Sequence, residues 1–145
     1  MSVMKKKCLN IFLVVIVLGA SFWPAGAQRL DKWMEAADAS LTQEDYYSAF
    51  HYYTAALQYD STLTEAWYKR GRAAFLFNDY ANALLSFDRA MDYDTAIVFP
   101  DLGYQLASTY HRQGRYSEAI VYYDAFLANP HDSGPEIIAQ ARKGL

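Results

Sequence analysis

Residues 64–97 read TEAWYKRGRAAFLFNDYANALLSFDRAMDYDTAI, and residues 30–63 before them read LDKWMEAADASLTQEDYYSAFHYYTAALQYDSTL. Laid one under the other, Trp33 meets Trp67, Tyr46 meets Tyr80 and Ala49 meets Ala83; Tyr53 meets Phe87, Ala56 meets Ala90 and Asp60 meets Asp94, always at an offset of 34. Residues 100–131, PDLGYQLASTYHRQGRYSEAIVYYDAFLANPH, make a third copy. Ala119 stands 36 residues after Ala83, so two residues near Val98 and Phe99 are inserted between copies two and three. A fixed period of this length marks an array of like units, each too small to bury its apolar face without a neighbour.

Inside a copy the apolar spacing is helical, twice over. Trp67, Arg70, Gly71 and Ala74 share one face of a first helix, and Ala83, Phe87, Ala90 and Met91 share one face of a second. Between the two lie Glu44-Asp45, Asn78-Asp79 and Gly114-Arg115. Asn and Gly tolerate the left-handed backbone of a tight helix–helix turn, and Glu44 is less comfortable there. Small residues (Ala49, Gly71, Ala83, Ala107, Ala119) fall where helices approach, and Tyr53, Phe87 and Tyr123 fill the adjoining gaps. That accounts for most of the 13 tyrosines: packing residues whose hydroxyls reach solvent at the rim. Residues 132–145, DSGPEIIAQARKGL, read as one more helix over about 134–145. Pro135 and Glu136 suit its first turn, Arg142 and Lys143 its last, and Ile137, Ile138 and Ala141 would pack on the third pair as the cap a solenoid needs.

The period and its content resemble the tetratricopeptide repeat (TPR) family, whose pattern W-x2-L-G-x2-Y…A-x3-F…A…P is present in pieces. Copy one has Trp33, Ala37, Ala49, Tyr53 and Ala56. Copy two has Trp67, Gly71, Ala83, Phe87 and Ala90. Copy three has Leu106, Ala107, Tyr110, Ala119, Tyr123 and Pro130. Arg70 stands where Leu is usual, Gly103 where Trp is, and Phe126 where Ala is; no Pro follows copies one and two. The resemblance implies an all-α fold, a right-handed α-solenoid of three TPR helix pairs (about 30–63, 64–97 and 100–131) plus a C-terminal capping helix.

The N-terminus, MSVMKKKCLNIFLVVIVLGASFWPAGAQ, reads as an address. Lys5, Lys6 and Lys7 precede the apolar run Ile11–Leu18, and Ala25-Gly26-Ala27 is the small-x-small pattern a signal peptidase accepts. The run is shorter than a membrane span requires. Residues 1–27 are therefore expected to be a signal peptide, with Ala25 and Ala27 before the cut and Gln28 after it, leaving 28–145 as one TPR domain. Cys8, the single cysteine, precedes the apolar run, which disfavours lipidation; after processing no thiol remains. Without Lys5–Lys7, 10 basic residues face 16 acidic ones, a net charge of −6. That excludes a basic nucleic-acid footprint. The expected destination is the periplasm or envelope of a Gram-negative bacterium, with secretion as the alternative and no stable membrane span after processing.

No catalytic constellation is visible. His51, His111 and His131 are not paired at i, i+4, and G-x-S-x-G, GxxxxGK[ST] and GxGxxG are all missing. Glu44-Asp45 and the pair Asp92, Asp94 fall at turns and helix ends, where they read as caps and solvating charge. The expectation is a non-catalytic scaffold with no cofactor and no metal. The family's groove positions, carried over copy by copy, fall on Asp31, Met34, Asp38 and Leu41; on Glu65, Tyr68, Arg72, Phe75 and Leu76; and on Asp101, Tyr104, Ser108, His111 and Arg112. Tyr68, Arg72, Phe75, Tyr104, Ser108, His111 and Arg112 are the candidate contacts for a protein or peptide partner, since aromatics and Arg dominate interface energetics. Phe75 and Leu76 suit equally the role of covering the neighbouring pair. Chaperone-binding members hold a terminal carboxylate with Lys and Asn; Met34 and Asp38 stand at two of those positions, which does not support that activity. The alternative is an N-terminal structural module of a larger envelope protein, with propeller or OmpA-like peptidoglycan-binding domains following.

Overall fold

The structure, a computed structural model, describes residues 25–94 and 97–145. Seven α-helices follow one another among these residues: α1 (Ala25–Thr42), α2 (Tyr46–Leu57), α3 (Thr64–Leu76), α4 (Tyr80–Tyr93), α5 (Leu102–Arg112), α6 (Tyr116–Ala128) and α7 (Pro135–Gly144). Each packs on its sequence neighbours, α3 also touches α5, and α5 also touches α7. This is three helix pairs in series with a terminal helix covering the last. The signal-peptide reading falls mostly on residues 1–24, outside the described residues; Ala25, Ala27 and Gln28 lie in the first turn of α1. No helix among the described residues is long and apolar enough to cross a membrane.

The turns repeat as faithfully as the helices. Glu44, Asn78 and Gly114, at equivalent positions, all take the left-handed conformation, with φ of 61°, 67° and 75°. The next residue caps the second helix: Asp45 accepts from the Ser48 amide and Asp79 from the Asn82 amide, both at 3.1 Å. Arg115 occupies the same place in copy three, where it has no acceptor to offer and pairs with Glu118 at 2.7 Å instead.

The core follows the size alternation of the sequence. Ala37, Ala49, Ala83 and Ala107 are fully buried, as are Tyr53 and Phe87. A Cβ on Gly71 would lie 2.6 Å from the Phe87 ring, so only glycine fits that crossing. Met91 departs from the helical reading: it is 44% exposed at the edge of its face. Arg70, where the family pattern has Leu, is 7% exposed. Its Nε donates to Thr54 Oγ1 (2.8 Å) and its Nη1 to Ser86 Oγ (2.6 Å), and its guanidinium lies 4.3 Å from the Phe50 ring centroid. A buried cation is tolerable only when it is satisfied in this way.

The two inserted residues alter one junction. Asp94 caps the turn after α4, accepting from the amides of Val98 (2.8 Å) and Phe99 (3.0 Å). Phe99 is thereby laid flat on Tyr68, with centroids 4.1 Å apart and planes 13° apart. The buried residues divide close to this junction: one cluster runs from Ala37 to Leu106, the other joins Ala107, Ala119, Tyr123, Phe126 and Ala141. Ile137 and Ile138 of α7 pack on the second cluster, as their spacing implies.

Candidate functional site

The first helices α1, α3 and α5 carry the candidate contacts, and hydrogen bonds tie one first helix to the next. Lys69 of α3 reaches back to Asp38 of α1 at 2.9 Å and also pairs with Glu65 at 2.7 Å. Asp38 in addition accepts from the Tyr53 hydroxyl. The Tyr68 hydroxyl of α3 donates to Asp101, at the head of α5, at 2.7 Å, and Gln105 Nε2 donates to the same carboxylate at 2.8 Å. The Tyr104 hydroxyl of α5 donates to Gln140 of α7 at 2.8 Å. Tyr68 and Tyr104 are equivalent in the repeat, so the same residue ties copy two to copy three and copy three to the terminal helix. Met34, their counterpart in copy one, has no hydroxyl, and Lys69 makes that splice.

These bonds decide what each candidate offers. Tyr68 is 7% exposed, and its role here is a strut rather than an open contact. Burial, and then the Asp101 hydrogen bond, push its pKa far above the usual tyrosine range; burial and Asp38 do the same to Tyr53. Arg72, His111 and Arg112 are exposed, while Phe75, Tyr104 and Ser108 are half-buried. The structure brings several of them together. The Arg112 guanidinium lies 6.0 Å from the Phe75 ring centroid, across the seam between α5 and α3. Its charge, with the Ser108 hydroxyl, acts on Tyr104 and Tyr123 against the burial that raises both. Arg72 acts likewise on Tyr53 and Tyr68. The His111 ring stands edge-on to Tyr116 at 5.2 Å and to Tyr123 at 6.4 Å. Leu76 remains 42% exposed.

One recess lies beside the inserted residues, between α4 and α6, lined by Met91, Ile97, Phe99, Tyr122 and Phe126 among others. Another lies between α1 and α2, lined by Arg29, Lys32, Trp33, Tyr52 and Tyr59. No spacing rule pointed to either, because both form where non-equivalent positions meet. Among the described residues no group of three or more His, Cys, Asp or Glu side chains stands close enough together to hold a metal ion.

The geometry has counterparts. The Tetratricopeptide repeat family pattern matches residues 103–128, most of copy three. Among solved structures, the Arabidopsis OM64 TPR domain superposes with a TM-score of 0.72 at 14% identity, over 83% of this chain and 97% of that one. The fold is a TPR array. The second TPR domain of human RPAP3, solved in complex with the HSP70 peptide SGPTIEEVD, gives a TM-score of 0.72 at 13% identity, over 83% and 98%. The TPR2B domain of yeast Sti1, solved as a pHsp70 complex, gives 0.69 at 17%, over 81% and 96%. No curated protein matches this sequence significantly.

Proposed function

We propose that this chain is a non-catalytic scaffold of the bacterial envelope that holds a segment of a partner protein along the face formed by α1, α3 and α5. The observation that carries the reading is the meeting of Phe75, Tyr104, Ser108, His111 and Arg112 across the α3–α5 seam, exposed or half-exposed on one continuous face. Such a cluster of aromatics with an arginine is the usual energetic centre of an interface. One structurally similar domain is solved with an HSP70 peptide and another as a pHsp70 complex, which supports the same use of the face here. Export rests on Lys5–Lys7, the apolar run and Ala25-Gly26-Ala27, with the mature chain beginning at Gln28.

A photo-crosslinking residue placed at Ser108, and separately at Asp124 on the opposite helix row, tests the face in an envelope extract. A partner captured from position 108 and not from 124 is expected; capture from 124 alone overturns the reading. Intact mass of the exported protein tests the leader, and a mass retaining residues 1–27 would make that segment an anchor.

A further inference from the structure

Resting on that reading, we infer that the face selects an acidic segment, engaged through its Asp or Glu side chains by Arg72 and Arg112. Formal charge on the first helices is mixed, but its availability is not. Asp38 is taken by Tyr53 and Lys69, Glu65 by Lys69, and Asp101 by Tyr68 and Gln105. Asp31 is the one carboxylate of the groove positions with no such bond among the described residues, and it lies at the far end, in copy one. Arg72 and Arg112 have no carboxylate within 4.0 Å among the described residues, and both are exposed. Three of the four groove carboxylates are thus already engaged within the chain, although they keep their charge, while Arg72 and Arg112 are left to find an external partner.

The repeat shows that the fold does not need either arginine. The positions equivalent to Arg72 hold Asp38 and Ser108; those equivalent to Arg112 hold Thr42 and Leu76. Three copies of one architecture thus form with acidic, small polar or apolar side chains there. Both arginines sit in copies two and three, on adjacent first helices, with Phe75 one turn from Arg72 and under Arg112. Packed helices lie roughly 8–10 Å apart, and an extended chain rises about 3.3 Å per residue. Two carboxylates two or three residues apart thus span both guanidiniums, each as a charge-assisted contact, with an intervening apolar side chain against Phe75. A net charge of −3 over the whole chain makes this pair of unengaged arginines a selective feature rather than a general one.

The test uses the purified exported chain and a fluorescein-labelled peptide carrying several Glu and Leu residues, amidated at its C-terminus so that no terminal carboxylate contributes. Its counterpart has Gln at every Glu. Anisotropy titration at low salt is expected to show at least tenfold tighter binding of the Glu peptide, with the preference shrinking as salt rises. The double variant Arg72→Gln, Arg112→Gln should abolish the preference while keeping the parent melting temperature. Arg89→Gln, on α4, should leave the preference intact. Equal binding of the two peptides, binding of neither, or a preference that survives in the double variant overturns the inference. Crosslinking from Ser108 that persists in the double variant would discard the acidic preference and keep the face; loss of crosslinking from Ser108 in the parent would discard the face itself.

Discussion

Arg70 shows how one side chain departs from its family pattern without disturbing the fold. Its guanidinium is enclosed by Thr54, Ser86, Asn82 and the Phe50 and Trp67 rings, so truncation removes three hydrogen bonds, two cation–π contacts and volume together. Arg70→Ala should cost about 2–3 kcal/mol in urea unfolding. Arg70→Leu, which refills the volume, should cost less, because the Ser86 hydroxyl still donates to the Asn82 carbonyl at 2.6 Å. Tyr53 and Tyr68 give a second test. Burial, and then a neighbouring carboxylate, hold both protonated well above the ordinary tyrosine range. In the unfolded chain they ionise near pH 10. The native state thus binds protons more tightly than the unfolded one, and the stability this supplies is fully present below about pH 10 and lost as pH rises beyond it. Denaturation midpoints between pH 9 and 11.5 should fall less steeply for Tyr53→Phe than for the parent. An unchanged slope would show that the Asp38 bond does not hold the proton.

At the level of the helix and its turn, the repeat makes each copy a control for the others. The left-handed residue between paired helices is Glu, then Asn, then Gly. Glu44→Gly should therefore stabilise the protein by about 0.5–1 kcal/mol, whereas Gly114→Ala should destabilise it by a similar amount. Gly71→Ala forces a Cβ against the Phe87 ring and should cost about 1–3 kcal/mol. Sequence periodicity made these elements legible: helix pairs, turns, the small–large alternation and the α7 cap all follow from spacing. It was silent on bonds between units. Lys69 has the pattern of a surface residue, yet it splices α1 to α3. Tyr68 reads as a groove contact, yet its hydroxyl points at Asp101. Both partners lie more than 30 residues away, so no local window contains them. The conformational effect of the insertion, Phe99 stacked on Tyr68, was equally out of reach of an offset count.

Over the whole molecule, the two residues added between copies two and three mark a seam near which the core divides: Leu102 and Leu106 of α5 still reach back into the N-terminal cluster, and the C-terminal cluster begins at Ala107. Arrays of this kind open in contiguous cooperative units, because each unit touches only its neighbours. Amide hydrogen exchange should accordingly find α5, α6 and α7 exchanging together through an opening that costs less than global unfolding, while α3 and α4 exchange only with the whole. Identical protection on both sides of the seam would show a single unit. Arg72 belongs to one side of this division; Tyr104, Ser108, His111 and Arg112 belong to the other. A partner that grips Arg72 and Arg112 at once must then act as a fastener. By mass action it adds about 2.7 kcal/mol at a hundredfold excess over its dissociation constant, and that protection falls on the C-terminal unit. With such a partner the chain would report its own occupancy: empty, α5, α6 and α7 would be the first part to open to unfolding or to a protease; filled, they would close with the rest.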